Sequence, residues 1–167
     1  MNDDLRIFYG WVQRSREVLF SYCESLPPEI YVQERSEFGF GSIRNLHVHV
    51  ADCYLWWVGA VGMGRPARGL EGADFPDVAA VRKAFAEVDR LVEEALGSFD
   101  RLDEVYLWTH PRRGWKAHVS QRWLLMHPIT HEFHHKGQLV ALGRVLGHPV
   151  PSSYDTDLVN PSPFPAT

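Results

Sequence analysis

The chain has 167 residues, 45% of them apolar and 23% charged, enough for one globular domain with a real core and no covalent staple. A formal charge of −4 excludes a general nucleic-acid binder, which would carry a basic face, and the short basic set Arg112, Arg113, Lys116 and Arg122 reads as a solvated loop. Cys23 and Cys53 make neither a disulfide framework nor a C-x-x-C site; with no leader-like segment and no apolar run of membrane-spanning length, the expectation is a cytoplasmic protein.

The first helix is predicted from Asp3 or Asp4 to Ser25, with acids at its positive end, apolar positions Ile7, Trp11, Val18 and Tyr22 at helical spacing, and Pro27-Pro28 as its stop. After a loop holding Gly39 and Gly41, Ser42 caps a second helix that runs to about Val61 and halts at the Gly62–Pro66 punctuation. Asp74 is the expected cap of a third helix, with Pro76 in its first turn, Gly97 near its end, and a stripe of Val81, Phe85, Val88, Val92 and Leu96. Between Val105 and Val119, two β-prone runs flank a Pro111–Gly114 turn and read as a short hairpin. Ser120 caps the longest helix, which is predicted to end at Gly147 and to kink where Pro128 removes a backbone bond to Leu124.

These elements describe an all-α protein, a four-helix bundle over residues 1–148 with an optional hairpin, followed by a Pro-rich tail at 149–167 that is either extended along the body or disordered. Along the fourth helix, Leu124, His131, His135, Leu142 and Val145 share one side. Ile129, Phe133 and Val140 form a second apolar stripe nearly opposite. A helix with one buried face would be polar there, so the stripe asks for a hairpin, the tail or a second subunit, and a homodimer is the favoured expectation.

Five of the nine histidines, His118, His127, His131, His134 and His135, fall within eighteen residues. Residues four apart on a helix project from one face with Cβ atoms about 5–6 Å apart, so two such imidazoles can converge on one ion. His127, His131 and His135 make that ladder, and a third ligand must come from a neighbouring helix, where His47 and His49 are the candidates. Each lies about 80° from the stripe Ile43, Leu46, Val50, Cys53 and Trp57, so periodicity leaves the choice open. His110, His118 and His148 read as surface residues in loops or strands.

Residues 131–135 also spell H-E-x-x-H, the zinc-metallopeptidase signature with Glu132 as general base. The context argues against that chemistry. No glutamate follows Glu132, the metzincin continuation meets Ala141 instead of histidine, and only Asp155 or Asp157 in the tail remains as a third ligand. A peptidase stays a minor alternative.

The segments SIRNLHVHVADCYLWW (42–57) and HPITHEFHHKGQLVALGRVLG (127–147) together resemble the DinB/YfiT-like metalloprotein superfamily. Its pattern has a histidine about eight residues before a tryptophan on the second helix, here His49 and Trp57. A later His-x-x-x-His, followed by a basic residue, Gly and Gln, matches His131, His135, Lys136, Gly137 and Gln138. The resemblance implies a four-helix bundle, often dimeric, that binds a divalent ion (Zn or Ni, with Fe or Mn as other candidates) through His49, His131 and His135. It further implies that some members are transferases or isomerases using a low-molecular-weight thiol. Two positions depart from the pattern: Lys136 replaces the usual Arg and loses its planar fork, and Glu132 is acidic where many members are neutral.

Three neutral imidazoles leave an ion its full charge and an open position, the arrangement of catalytic rather than structural zinc sites. The expected function is therefore a metal-dependent hydrolase or thiol S-transferase acting on a small organic substrate. Glu132 or His127 would accept a proton beside the site, and Tyr54, Trp56 and Trp57 would form pocket walls or simply core. The competing expectation is a non-catalytic, stress-related dimer whose ion is structural or sensory.

Overall fold

A computed structural model describes residues 3–152. Helix α1 (Asp3–Glu24) opens on two aspartates and buries Tyr9, Val12, Ser15, Arg16, Leu19, Phe20, Tyr22 and Cys23. Ile7, read from the sequence as core, is 54% exposed, so the true stripe is rotated from the predicted one. The displacement has a physical cause: the middle of the buried face is Arg16, whose charge hides it from a hydrophobic pattern. Pro28 does more than stop this helix. It stands in the first turn of a short α2 (Pro28–Val32), where a missing N–H costs nothing.

Helix α3 (Ile43–Tyr54) starts where the Ser42 hydroxyl accepts the Asn45 N–H at 3.1 Å, as the sequence predicts. It continues without a break as a π-helix over Leu55–Gly62, so the predicted extent holds but the winding changes. The third long helix, α4 (Val78–Ser98), is capped by Asp77, which accepts the Ala80 N–H at 2.8 Å. Asp74 instead closes a 3-10 turn (Gly72–Asp74), and Pro76 precedes the cap rather than sitting in the first turn. The predicted stripe from Val81 to Leu96 is fully buried.

Strands β1 (Tyr106–Thr109) and β2 (Lys116–Val119) pair antiparallel, Tyr106 opposite Val119, around a turn where Gly114 takes φ +69°. Helix α5 (Gln121–Val145) is capped by Ser120, passes through Pro128, and ends just before Gly147, whose φ of +84° closes it. The architecture is all-α: a bundle of α1, α3, α4 and α5 with one hairpin. Among the described residues no helix is long and apolar enough to cross a membrane.

Both apolar stripes of α5 are covered within the chain. Ile129 and Val140 are buried and Phe133 packs against the same core, while Lys136 donates to the Ser15 hydroxyl on α1 at 2.8 Å. The second stripe therefore has an intrachain partner and does not call for a second subunit. Val145, placed on the histidine face by periodicity, is instead 51% exposed near the fraying end of the helix. Val150 is buried, whereas residues 153–167, with Asp155 and Asp157, lie outside the described residues.

The α1–α5 contact closes at Gly143. A Cβ there would overlap the Tyr22 hydroxyl, which donates to the His148 carbonyl at 2.5 Å. Gly143→Ala should destabilise the fold by about 1–3 kcal/mol, the usual cost of overpacking. Chemical denaturation should show part of that loss restored in a Tyr22→Phe background, where the obstructing oxygen is gone.

Candidate metal centre

His49 projects from α3, and His131 and His135 from successive turns of α5, the two helices that pack most closely around this point. His131 Nε2 lies 2.8 Å from His49 Nε2 and 3.0 Å from His135 Nε2. Three nitrogens bound tetrahedrally at about 2.0–2.1 Å from one ion are about 3.3–3.4 Å apart, so a retreat of a few tenths of an ångström makes room for the metal. The donor set fits a borderline divalent ion.

Protonation state fits as well. Burial, with a smaller contribution from His135, lowers His49 to about 4. Burial and the surrounding imidazoles, His135 first among them, lower His131 to about 4. His135 is shifted down too, again chiefly by burial. All three rings are thus neutral at neutral pH, the form that coordinates a metal.

The ring of His135 is oriented by Gln138. His135 Nδ1 donates to Gln138 Oε1 at 2.7 Å, which turns its Nε2 lone pair toward His131. The Gln138 amide nitrogen in turn reaches His134 Nε2 at 3.1 Å, which fixes the amide's orientation. His134 itself is exposed and serves here only as that anchor. Such outer partners commonly govern metal affinity by 10–100-fold. Gln138→Leu should weaken Zn2+ or Ni2+ binding by roughly that factor, measured by competition with a chromophoric chelator, while leaving the helix content unchanged.

Phe40, on the loop before α3, stacks on His49 with ring centres 4.0 Å apart and meets His135 edge-on at 5.4 Å. Nothing in the spacing of the sequence marked it. Beside His49 lies a cleft of about 390 Å3, walled by Phe40, Arg44, Asn45, Asp52, Leu70 and Glu71. Burial raises the Asp52 carboxyl, which accepts the Leu70 N–H at 3.1 Å.

His47, the rival third ligand, faces the other way. It is buried among Phe20, Tyr31 and Phe85, with Nδ1 3.1 Å from the Tyr31 hydroxyl, and burial lowers it to about 3. Its Nε2 has no hydrogen-bond partner among the described residues.

Glu132 is not a free base at the cluster. Its two oxygens accept from Arg16 Nε at 2.8 Å and Arg16 Nη2 at 2.9 Å, and Oε2 also accepts from the Tyr54 hydroxyl at 2.7 Å. Arg16 continues to Asp89 at 2.7 Å and lies over the Phe85 ring. Burial, together with the Glu132 carboxylate, holds the Tyr54 hydroxyl protonated well above its ordinary range. The carboxylate is consumed by a buried clamp joining α1, α3, α4 and α5. This removes the base that a peptidase reading of 131–135 requires, and it makes Tyr54 core rather than pocket wall.

His127 continues the ladder beyond His131, stacked on Trp123 at 4.6 Å and edge-on to Trp57 at 5.2 Å. Burial lowers its pKa, so it stays neutral as an acceptor. Trp56 borders a separate cleft of about 910 Å3 with Trp108, Trp115, Arg112 and Arg113, and Trp57 packs edge-on against Trp115 and Trp123, so both face aromatic neighbours rather than the three imidazoles. His118 is exposed on the hairpin, whereas His110, read from the sequence as a surface residue, is half-buried against Trp56, Trp108 and Trp115, and Arg122 is paired with Asp103.

Comparison with curated proteins gives no match. A family model described as the DinB family matches residues 1–162, nearly the whole chain, and it does so on a bundle whose α3 and α5 bring three imidazoles together; the chain belongs to the DinB family.

Proposed function

We propose that the protein is a metal-dependent enzyme, a hydrolase or a thiol S-transferase, that acts on a small organic substrate with Zn2+ or Ni2+ as its ion. The observation that carries this reading is the meeting of His49, His131 and His135 through their Nε2 atoms, with no carboxylate or fourth protein donor completing the set among the described residues. An ion so held keeps an open position and its full charge, and it lowers the pKa of water or a thiol that binds there. The chain's own residues do the rest. His49, His131 and His135 supply neutral donors, Gln138 holds one ring in its coordinating orientation, and Phe40 shields the cluster on one side. The cleft beside His49 has the volume of a small-molecule site, and Arg44, Asp52 and Glu71 on its walls supply both signs of charge for orienting a polar substrate. His127, neutral and half-buried next to His131, is an available proton acceptor now that Glu132 is engaged elsewhere.

The test uses untagged protein loaded with Zn2+ or Ni2+ and offered activated esters and electrophiles paired with low-molecular-weight thiols. Turnover by the loaded wild type, lost together with bound metal in His49→Ala while the circular dichroism is unchanged, is the expected result. A chelator that lowers the melting temperature sharply, with no turnover of either substrate class, assigns the ion a structural or sensory role and overturns the enzyme.

A further inference from the structure

The ladder on α5 has a counterpart on α3 that the three-histidine cluster does not use. Cys53 follows His49 by four residues, so it stands one turn further along the same face of α3. His127 precedes His131 by four, one turn back along α5. Stepping forward on one helix and backward on the other, the pair repeats its donor pattern, about 6 Å along the bundle. The geometry bears this out: one donor atom each from Cys53, His127 and His131 all lie within 4.8 Å of one another, as do those of His49, His131 and His135.

We propose that Cys53, His127 and His131 form a second metal position, selective for thiophilic ions such as Cu+ or Cd2+, that excludes occupancy of the three-histidine position because both draw on His131. A thiolate is the soft donor that separates these ions from those suited to imidazole alone. Donor atoms around a tetrahedral zinc ion, with bonds of about 2.3 Å to sulfur and about 2.0–2.1 Å to nitrogen, lie about 3.3–3.7 Å apart, and somewhat more around the larger Cd2+, so a contraction of at most about 1.5 Å closes the set. His131 is the pivot. A neutral imidazole offers one lone pair, so the ring serves one ion at a time. Cys53 gives its thiol proton to solvent when it coordinates, so each ion bound here releases one proton. Cys23, buried on α1 and in neither set, is an internal control.

The experiment titrates Cd2+ into the full chain, first free of metal and then loaded with Ni2+, and follows thiolate-to-metal charge-transfer absorption together with released Ni2+. Wild type should develop the band to completion at one Cd2+ per chain and release its Ni2+ in step. Cys53→Ser should lose the band yet still bind Ni2+, whereas Cys23→Ser and His49→Ala should keep the band. Cadmium–sulfur scattering in the X-ray absorption of wild type gives the same answer without any variant. The proposal is overturned if Cd2+ displaces Ni2+ with no thiolate band, if the band survives in Cys53→Ser, or if Cd2+ and Ni2+ are retained together. A chain that binds neither Zn2+ nor Ni2+ but shows the band with Cd2+ sinks the enzymatic reading and leaves this one standing.

Discussion

His131→Ala should cost more than 100-fold in affinity for Zn2+ and Ni2+, since loss of an outer partner alone costs about 10–100-fold. It should also remove the Cd2+ thiolate band. His131 is the one residue common to both donor sets, so no other single substitution among the described donors should abolish both kinds of binding. The ring is only half-buried and its two polar contacts are to other histidines, so the variant should keep its helix content and unfold cooperatively. Calorimetric titration with each ion checks this. Wild-type affinity in the alanine variant would show that the three rings merely pack.

The other large effect belongs to the core. Glu132→Ala leaves Arg16, 4% exposed, with a charge whose chief partner is gone, and should cost about 3–5 kcal/mol. The double replacement Arg16→Met with Glu132→Leu should recover most of that loss, because a buried pair as a whole is worth little against apolar side chains of similar size. Urea denaturation of the three proteins separates the cases. A loss below about 1 kcal/mol for Glu132→Ala would mean that solvent reaches the clamp.

The contrast between Glu132 and its neighbours shows what a sequence can and cannot disclose. Ser42 and Ser120 announce their helices because a cap is a local bond to an amide three residues on. The hairpin and Gly147 were legible for the same reason. Asp74 and Asp77 offer the same chemistry three residues apart, and only the fold of the preceding loop decides between them. On α3 the rule of one apolar stripe fails, since the helix is enclosed by α2, α4 and α5; His47 and His49 each reach an interior, one aromatic and one shared with α5. Spacing could not separate them, and the resemblance to the DinB pattern could. The Arg16–Glu132 pair spans 116 residues, and a bond of that length leaves no periodic trace. The one signal was a charge standing among apolar positions of α1. Phe40 left none, and Cys53 was seen as core although it stands four residues from His49.

The π-helix after α3 has a consequence for length. A run of eight such residues is wound wider than an α-turn, and it brings Gly62 so near Phe99 and Leu124 that an added Cβ would sit 3.0 and 3.3 Å from them. Removing one residue from this stretch would let the chain relax into ordinary winding, but everything downstream would swing by about 100°. Val61 would leave the small cluster it shares with Val119 and Leu124 at the start of α5. The stretch therefore acts as a spacer of fixed count, intolerant of any change in number.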